Sequence, residues 1–392
     1  MSWRIGSLVS TRECFVLAAL RHAEPFAQLC RRFGIARSTG YKWRRRFQRA
    51  GRAGLADRSR RPRRSPQQVS SRWQQALRQL RRQHPTWGPR KLHARLRALH
   101  PRVRLPVPRT LSRWLRRLNL VPSRPRHQRQ GPRLLKPRRR AARAPNDVWT
   151  LDFKGWFRTR DGRRVEPLTV RDLKSRFLLD IRLLTNQSDR PVRRVLRRLF
   201  RRYGLPKAIR VDNGAPFGGV GPRGLSRLSV WWRRLGIAVE FGRPAHPEDN
   251  AGHEQMHQVY QAEVADDPAA HPAAQQRRSD RWRATDNELR PHEGLHLQAP
   301  VQRYRPSPRV WPDRLPAWIY PPTWPQHRVS TKGQVYWHGR QRFIGRAFGG
   351  ERIALRPHGA GRWEVFLGRD LLGLLHHTDR APGLRPVRLT TR

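Results

Sequence analysis

Hydrophobic positions near the start of the chain recur at helical spacing. Val16, Ala19 and Leu20 form one set and Phe26, Leu29, Cys30 and Phe33 a second; after Gly34-Ile35 comes a basic run with Tyr41, Lys42, Arg44, Arg45 and Arg46. This pattern predicts three short helices over residues 1–60, the third weakened slightly by Gly40. The theme repeats over 61–121, with helices near Trp73 to Arg82, Trp87 to Leu99 and Pro108 to Leu118. Between Pro122 and Pro145 the apolar period disappears into Arg, Pro, Gln and Ala, the composition of a basic linker. Strand-like runs then begin: Val148 to Gly155, Val165 to Val170 and Phe177 to Leu184. An amphipathic helix with Val192, Val195, Leu196, Leu199 and Tyr203 follows, then a strand at Ala208 to Val211, a helix around Leu225 to Leu235 and a strand from Ile237 to Phe241. Met256, Val259, Tyr260 and Val264 mark a further helix. From 307 onward five short strands alternate with turns, at Gln334 to His338, Arg342 to Ile344, Arg352 to Leu355, Trp363 to Leu367 and Leu371 to Leu375, which suggests a small barrel of SH3-like type.

Charge changes the picture more than length does. With 85 Lys and Arg against 27 Asp and Glu, the formal charge is +58 and runs from end to end, so the chain repels itself unless a polyanion is near. Nucleic acid is the partner this implies. A short helix, a glycine turn and a basic helix resemble a helix-turn-helix, which makes Arg37, Ser38, Thr39 and Lys42 the candidate base readers, with Arg44 and Arg45 beside them. Only two cysteines occur, Cys14 and Cys30, with no Cys-x-x-Cys pair; this argues against a zinc module or a disulfide framework and fits a reducing cytoplasm. The apolar stretch from Cys14 to Leu20 is too short for a membrane span, and no export signal is evident.

Against such a positive background three acids stand out. Asp152 interrupts the apolar run Val148-Trp149-Thr150-Leu151-Asp152-Phe153, where a lone carboxylate would be desolvated. Asp212 closes Ala208-Ile209-Arg210-Val211 just before the Asn213-Gly214 turn, at a strand's end facing a loop. Glu254 stands one turn into the helix that follows Glu248-Asp249-Asn250-Ala251-Gly252-His253. Glu248 and Asp249 are alternatives for the third position; Glu248 and Glu254 lie about 240° apart on a helix, so only one can face the strand ends. The bland readings are an arginine-paired Asp152 and a turn-forming Asp212. Three carboxylates drawn together repel one another, and a hard divalent ion relieves that repulsion.

Several phrases resemble the integrase-core DDE transposases of bacterial insertion sequences, whose core is similar to that of retroviral integrases. They are Asp147-Val148-Trp149-Thr150-Leu151-Asp152-Phe153-Lys154-Gly155, Val211-Asp212-Asn213-Gly214-Ala215-Pro216-Phe217, Asp249-Asn250 ahead of His253-Glu254, and Arg290-Pro291-His292-Glu293-Gly294-Leu295. The resemblance spans nearly the whole chain. It implies a multidomain protein: helix-turn-helix modules at 1–60 and 61–121, a linker at 122–145, an α/β ribonuclease-H-like core at 146–306 and the small barrel at 307–392. It also implies Mg2+ or Mn2+ held by Asp152, Asp212 and Glu254, and phosphodiester hydrolysis at the element's ends followed by strand transfer into target DNA. The partners implied are double-stranded DNA and further copies of the chain, and the place is the nucleoid of a bacterial cytoplasm. His257, Gln258 and Gln261 stack beside Glu254 on the face turned to DNA; similar transposases carry basic residues there, and this chain departs from them. Two rival readings are a sequence-specific regulator or impaired remnant that binds without cutting, and a ribonuclease-H-like nuclease that reads structure.

Overall fold

The computed structural model describes residues 8–22, 24–58, 71–121, 141–242, 251–379 and 383–386. The basic linker expected at 122–145 therefore falls largely outside the described residues, as do Glu248 and Asp249. The chain divides into two compact units, residues 1–70 and 71–392.

In the first unit, α1 (Leu8–Leu20), α2 (Phe26–Arg32) and α3 (Arg37–Ala50) follow the apolar spacing. Phe15, Val16, Ala19, Leu29, Cys30, Trp43 and Leu55 make the core, whereas Leu20, on the same apolar stripe, remains partly in solvent. Gly40 is explained by packing. A Cβ there would lie 2.8 Å from Cys30 Sγ and 2.9 Å from Phe15 Cζ, so the absence of a side chain lets α3 close onto α1 and α2. Cys14 is exposed and Cys30 buried, both as free thiols.

The second unit begins with α4 (Ser71–Gln83), α5 (Pro89–Leu99) and α6 (Pro108–Arg117), which bury Trp73, Leu77, Leu80, Leu92, Leu96, Leu111, Trp114 and Leu115 on one side. A mixed sheet follows, built from β1 (Val148–Phe153), β2 (Phe157–Arg158), β3 (Arg164–Asp172), β4 (Leu178–Leu184), α7 (Asp189–Tyr203), β5 (Ala208–Val211), α8 (Arg227–Arg234) and β6 (Ala238–Phe241). β4, β3 and β1 are antiparallel neighbours, β5 runs parallel to β1, and β6 runs parallel to β5. The order β4-β3-β1-β5-β6 belongs to the ribonuclease-H-like core; the two-residue β2 adds only a short hairpin to β3. α7 and α8 pack Val192, Leu196, Phe200, Leu228, Trp231 and Trp232 on one face of the sheet. α9 (Ala251–Tyr260) continues into a π-helical turn (Gln261–Ala265) and, with α10 (Pro272–Glu288), covers Leu178 and Ile181 of β4 through Met256, Tyr260, Val264 and Trp282.

The expected small barrel is not what the C-terminal strands form. β7 (Gln326–Arg328), β10 (Arg352–Pro357), β11 (Arg362–Leu367) and β12 (Asp370–His376) make an open antiparallel sheet in the order β12-β11-β10-β7. β8 (Gln334–Trp337) and β9 (Arg340–Phe343) pair with each other as a separate hairpin. Both pieces bury side chains in one core around Val335, Trp337, Phe348, Ile353, Leu355 and Val365. Between β9 and β10 the chain makes a 3-10 turn (Arg346–Phe348) flanked by Gly345, Gly349 and Gly350, and this break interrupts a continuous ladder. Among the described residues no helix is long and apolar enough to cross a membrane.

Candidate active site

The parallel pairing of β1 with β5 explains why two acids sixty residues apart should meet. Val148 pairs with Ala208, Trp149 with Ile209 and Thr150 with Arg210, an offset that, continued up the strands, sets Asp212 beside Asp152. Equivalent positions on neighbouring parallel strands project to the same face of a sheet. The ends are tied together by aromatic packing. Phe153 stacks on Phe217, from the loop after β5, at 5.7 Å between ring centres. Asn213 Nδ2 donates to the Gly242 carbonyl at 2.7 Å, and the Gly242 amide donates to Val211 at 2.7 Å, so the turn after Asp212 is fastened to the end of β6. Glu254 lies exposed on α9 while Met256 and Tyr260 of the same helix are buried.

Asp152 feels the charges of the other two acids. Burial pushes Asp152 up to about 7, with the charges of Asp212 and Glu254 adding to the rise and a hydrogen bond from the Phe153 amide opposing it. Asp212 is also raised by desolvation, while its own amide and that of Gly214 pull it back. Its position is open to solvent along one side. Among the described residues no group of three or more His, Cys, Asp or Glu side chains stands ready-grouped to hold a metal ion. The oxygens available are nevertheless hard donors, and the repulsion that raises Asp152 is of the kind a divalent cation relieves, so the donor set suits Mg2+ or Mn2+ better than zinc.

Two side chains flank Asp152: Thr169, which the sequence did not mark as a site residue, and His257, which it marked only as a neighbour of Glu254. Thr169 faces it across the β1–β3 ladder and donates from Oγ1 to the Asp152 carbonyl at 2.9 Å. The same hydroxyl meets His257 Nε2 at 2.9 Å. A hydroxyl has one proton to give, so His257 donates through Nε2 and turns a bare Nδ1 toward Asp152 Oδ2, 4.0 Å away. Burial, helped by the charges of Lys154 and Arg171, lowers His257 to about 4, so the ring is neutral. A lone pair pointed at Asp152 matches a carboxyl that keeps its proton to about 7. His257 is thus half-buried beside Asp152, and it lines a cleft with Lys154, Gln258 and Gln261. Gln258 is exposed, and Gln261 lies at the start of the π-turn, accepting from Lys154 Nζ and donating to Asp266. Lys154 supplies a cation to this cleft from β1's end, where the helix itself presents glutamines.

In the first unit Arg37, Ser38, Lys42 and Arg45 are exposed on α3, and Thr39 and Arg44 are half-buried. The exposed group shares one side of the helix, opposite the buried Gly40 and Trp43.

The sequence matches a homeodomain-like domain over residues 39–115 and a helix-turn-helix domain over 11–63. Integrase core domains match at 142–247 and 235–300, and the C-terminal domain of IS481 family transposases at 326–380. The insertion element IS407 uncharacterized 31.7 kDa protein of Burkholderia multivorans is 32% identical over 179 residues, covering 45% of this chain and 62% of that protein. The insertion element IS476 uncharacterized 39.2 kDa protein of Xanthomonas euvesicatoria is 29% identical over 229 residues, covering 57% of this chain and 62% of that protein. The chain therefore spans about three fifths of the length of these curated relatives. Among solved structures, the HTLV-2 integrase catalytic core in complex with magnesium, in its trimeric form, is 12% identical, with a TM-score of 0.34 over 42% of this chain and all of that one. The catalytic core of BIV integrase is 16% identical, with a TM-score of 0.31 over 40% of this chain and 92% of that one.

Proposed function

We propose that the chain, which matches integrase core and IS481 family transposase domains and resembles insertion-element proteins, binds the ends of a mobile DNA element, cuts there and joins the freed end to target DNA. The observation that carries this reading is the meeting of Asp152 and Asp212 at adjacent parallel strand ends, with Glu254 close enough to raise Asp152 further. These three residues would hold Mg2+ or Mn2+. Bound divalent ions would supply charge neutralisation at the reacting phosphate. The protein's own part would be to draw the carboxyls together on the ion, to hold the Asp152 backbone through Thr169 with His257 beside its carboxyl, and to offer Lys154 and Gln258 to the backbone of a bound strand. On α3, Arg37, Ser38, Thr39 and Lys42 would read bases, with Arg44 and Arg45 on phosphates. Two element ends call for at least two copies of the chain on DNA, and work on chromosomal DNA places it at the nucleoid.

The decisive test is nicking of a duplex carrying the element's terminal sequence. Mg2+-dependent cleavage is expected in the parent and none in Asp152→Asn, with binding of the end unchanged. Cleavage retained by Asp152→Asn would sink this reading. A second reading, an end-binding protein that does not cut, is favoured by Gln258 and Gln261 beside Glu254; it predicts specific binding and intact DNA in both Mg2+ and Mn2+.

A further inference from the structure

A chain of buried charges that this chemistry does not use runs behind α9. Arg171 of β3, 7% exposed, donates from Nη1 to the Gly252 carbonyl at 2.6 Å, two residues before Glu254. Asp286 of α10 is 3% exposed. Burial alone would raise its pKa, but His292, Arg290 and Arg171 outweigh that and hold it below the usual carboxylate range. Arg290 Nε lies 2.8 Å from Asp286 Oδ1, and its Nη2 pairs with Glu263 in the π-turn that ends α9. α9 is therefore held at its start by Arg171 and at its end by Arg290, and Asp286, paired with Arg290, lines one cavity with both.

The outer end of this set belongs to the second helical module. Arg290 lies between the rings of Trp282 and Trp87, 5.6 Å from each. Trp87 comes from the loop between α4 and α5, is fully buried, and stacks on His84 at 3.8 Å. Next to it Thr86 donates to Glu263. A cavity of about 430 Å³ borders the contact, lined by Lys91, Arg171, Gln255, His292 and Glu293 among others. Apolar packing would hold two elements together at least as well as buried ion pairs, so stability alone does not account for the choice. What such pairs do supply is a fixed register between the groups they join.

We propose that Arg290, Asp286 and Arg171 form a buried relay through which seating of the Thr86-Trp87 loop on the core holds the start of α9, and so Glu254, in its working position. They are positioning residues, and they tie the second helical module to the metal site. The proposal rests on the reading of Asp152, Asp212 and Glu254 as metal ligands. It is tested on the full chain without DNA by titrating Mn2+ and following the free ion by electron paramagnetic resonance, with thermal melting alongside. Asp286→Asn is expected to weaken Mn2+ binding about tenfold, as loss of supporting groups around a metal typically does. Thr86→Val should weaken it several-fold although it lies in another module, and the double variant should be no weaker than Asp286→Asn. Mn2+ affinity unchanged in Thr86→Val, or effects that multiply in the double variant, overturns the relay while leaving the ligand assignment standing. A parent chain that binds no Mn2+, or binds it equally well as Asp152→Asn, removes the ligand assignment and the relay together.

Discussion

Asp152 concentrates the energetic tension of the molecule in one carboxyl. In the unfolded chain it titrates near the ordinary Asp value of 3.8, whereas in the fold it holds its proton to about 7. Between those values the folded state binds more protons than the unfolded one, so stability falls as pH rises through that window. The cost above pH 7 amounts to at most about 4 kcal/mol. Without divalent ions, Asp152→Asn should therefore melt higher than the parent at pH 8 and nearly the same at pH 4.5; an equal gain at both values would contradict the shift. Its supporting residues show what a sequence hides. Asp152 announces itself as an acid in an apolar run, but Thr169 is an ordinary strand residue, and only the β1–β3 register makes it a partner. His257 was legible as a neighbour of Glu254 one helical turn on. That it faces inward follows from how α9 lies on the sheet, with Tyr260 and Met256 setting the buried side.

α10 shows the same limit for whole elements. Its seventeen residues escape a search for apolar periodicity because much of its buried face is polar: Gln275, Ser279, Asp286 and Asn287 lie inside beside Trp282. The reason is the strand it covers. β4 is an edge, with backbone groups that would otherwise be unpaired. Asn287 accepts from the Leu178 amide at 2.8 Å and donates to its carbonyl at 2.9 Å, while Gln276 accepts from the Leu183 amide at 2.9 Å and donates to the Ile181 carbonyl at 2.8 Å. Asn287→Ala removes the side-chain partner of the Leu178 amide and leaves its carbonyl only the long contact from Arg283 at 3.5 Å, and is expected to cost about 1–3 kcal/mol, measured by denaturant unfolding. A loss below about 0.5 kcal/mol would show that α10 does not stabilise the edge in this way. Where the buried face was apolar, the periodic pattern was enough. α7 and the strand from Ala208 to Val211 appear where hydrophobic spacing put them. At the C-terminus that pattern located five strands yet did not decide their closure, because side-chain alternation specifies a face and leaves the pairing partner open.

For the whole molecule, charge governs how it meets its partner. On the proposed reading of a DNA-binding protein, a net +58 makes that binding steeply dependent on salt. If about eight phosphates are neutralised, log affinity should fall against log salt with a slope of about −7, and Asp152→Asn should keep that slope because the contacts are spread over the basic surface. A slope shallower than about −3, measured by fluorescence anisotropy on duplex DNA, would mean that most of the arginines never reach a phosphate.

The linear chain by itself determined the helical modules and the alternation of strands and helices in the core, and it singled out three acids as candidates, since these depend on local spacing and side-chain chemistry. Which residues meet was decided by tertiary structure. The parallel offset of β1 and β5 brings Asp152 to Asp212, β3 supplies Thr169 and Arg171, and the packing of α9 turns His257 toward the acids. Such meetings arise from pairing register and helix orientation, quantities set by burial across the whole sheet rather than by any short stretch of sequence.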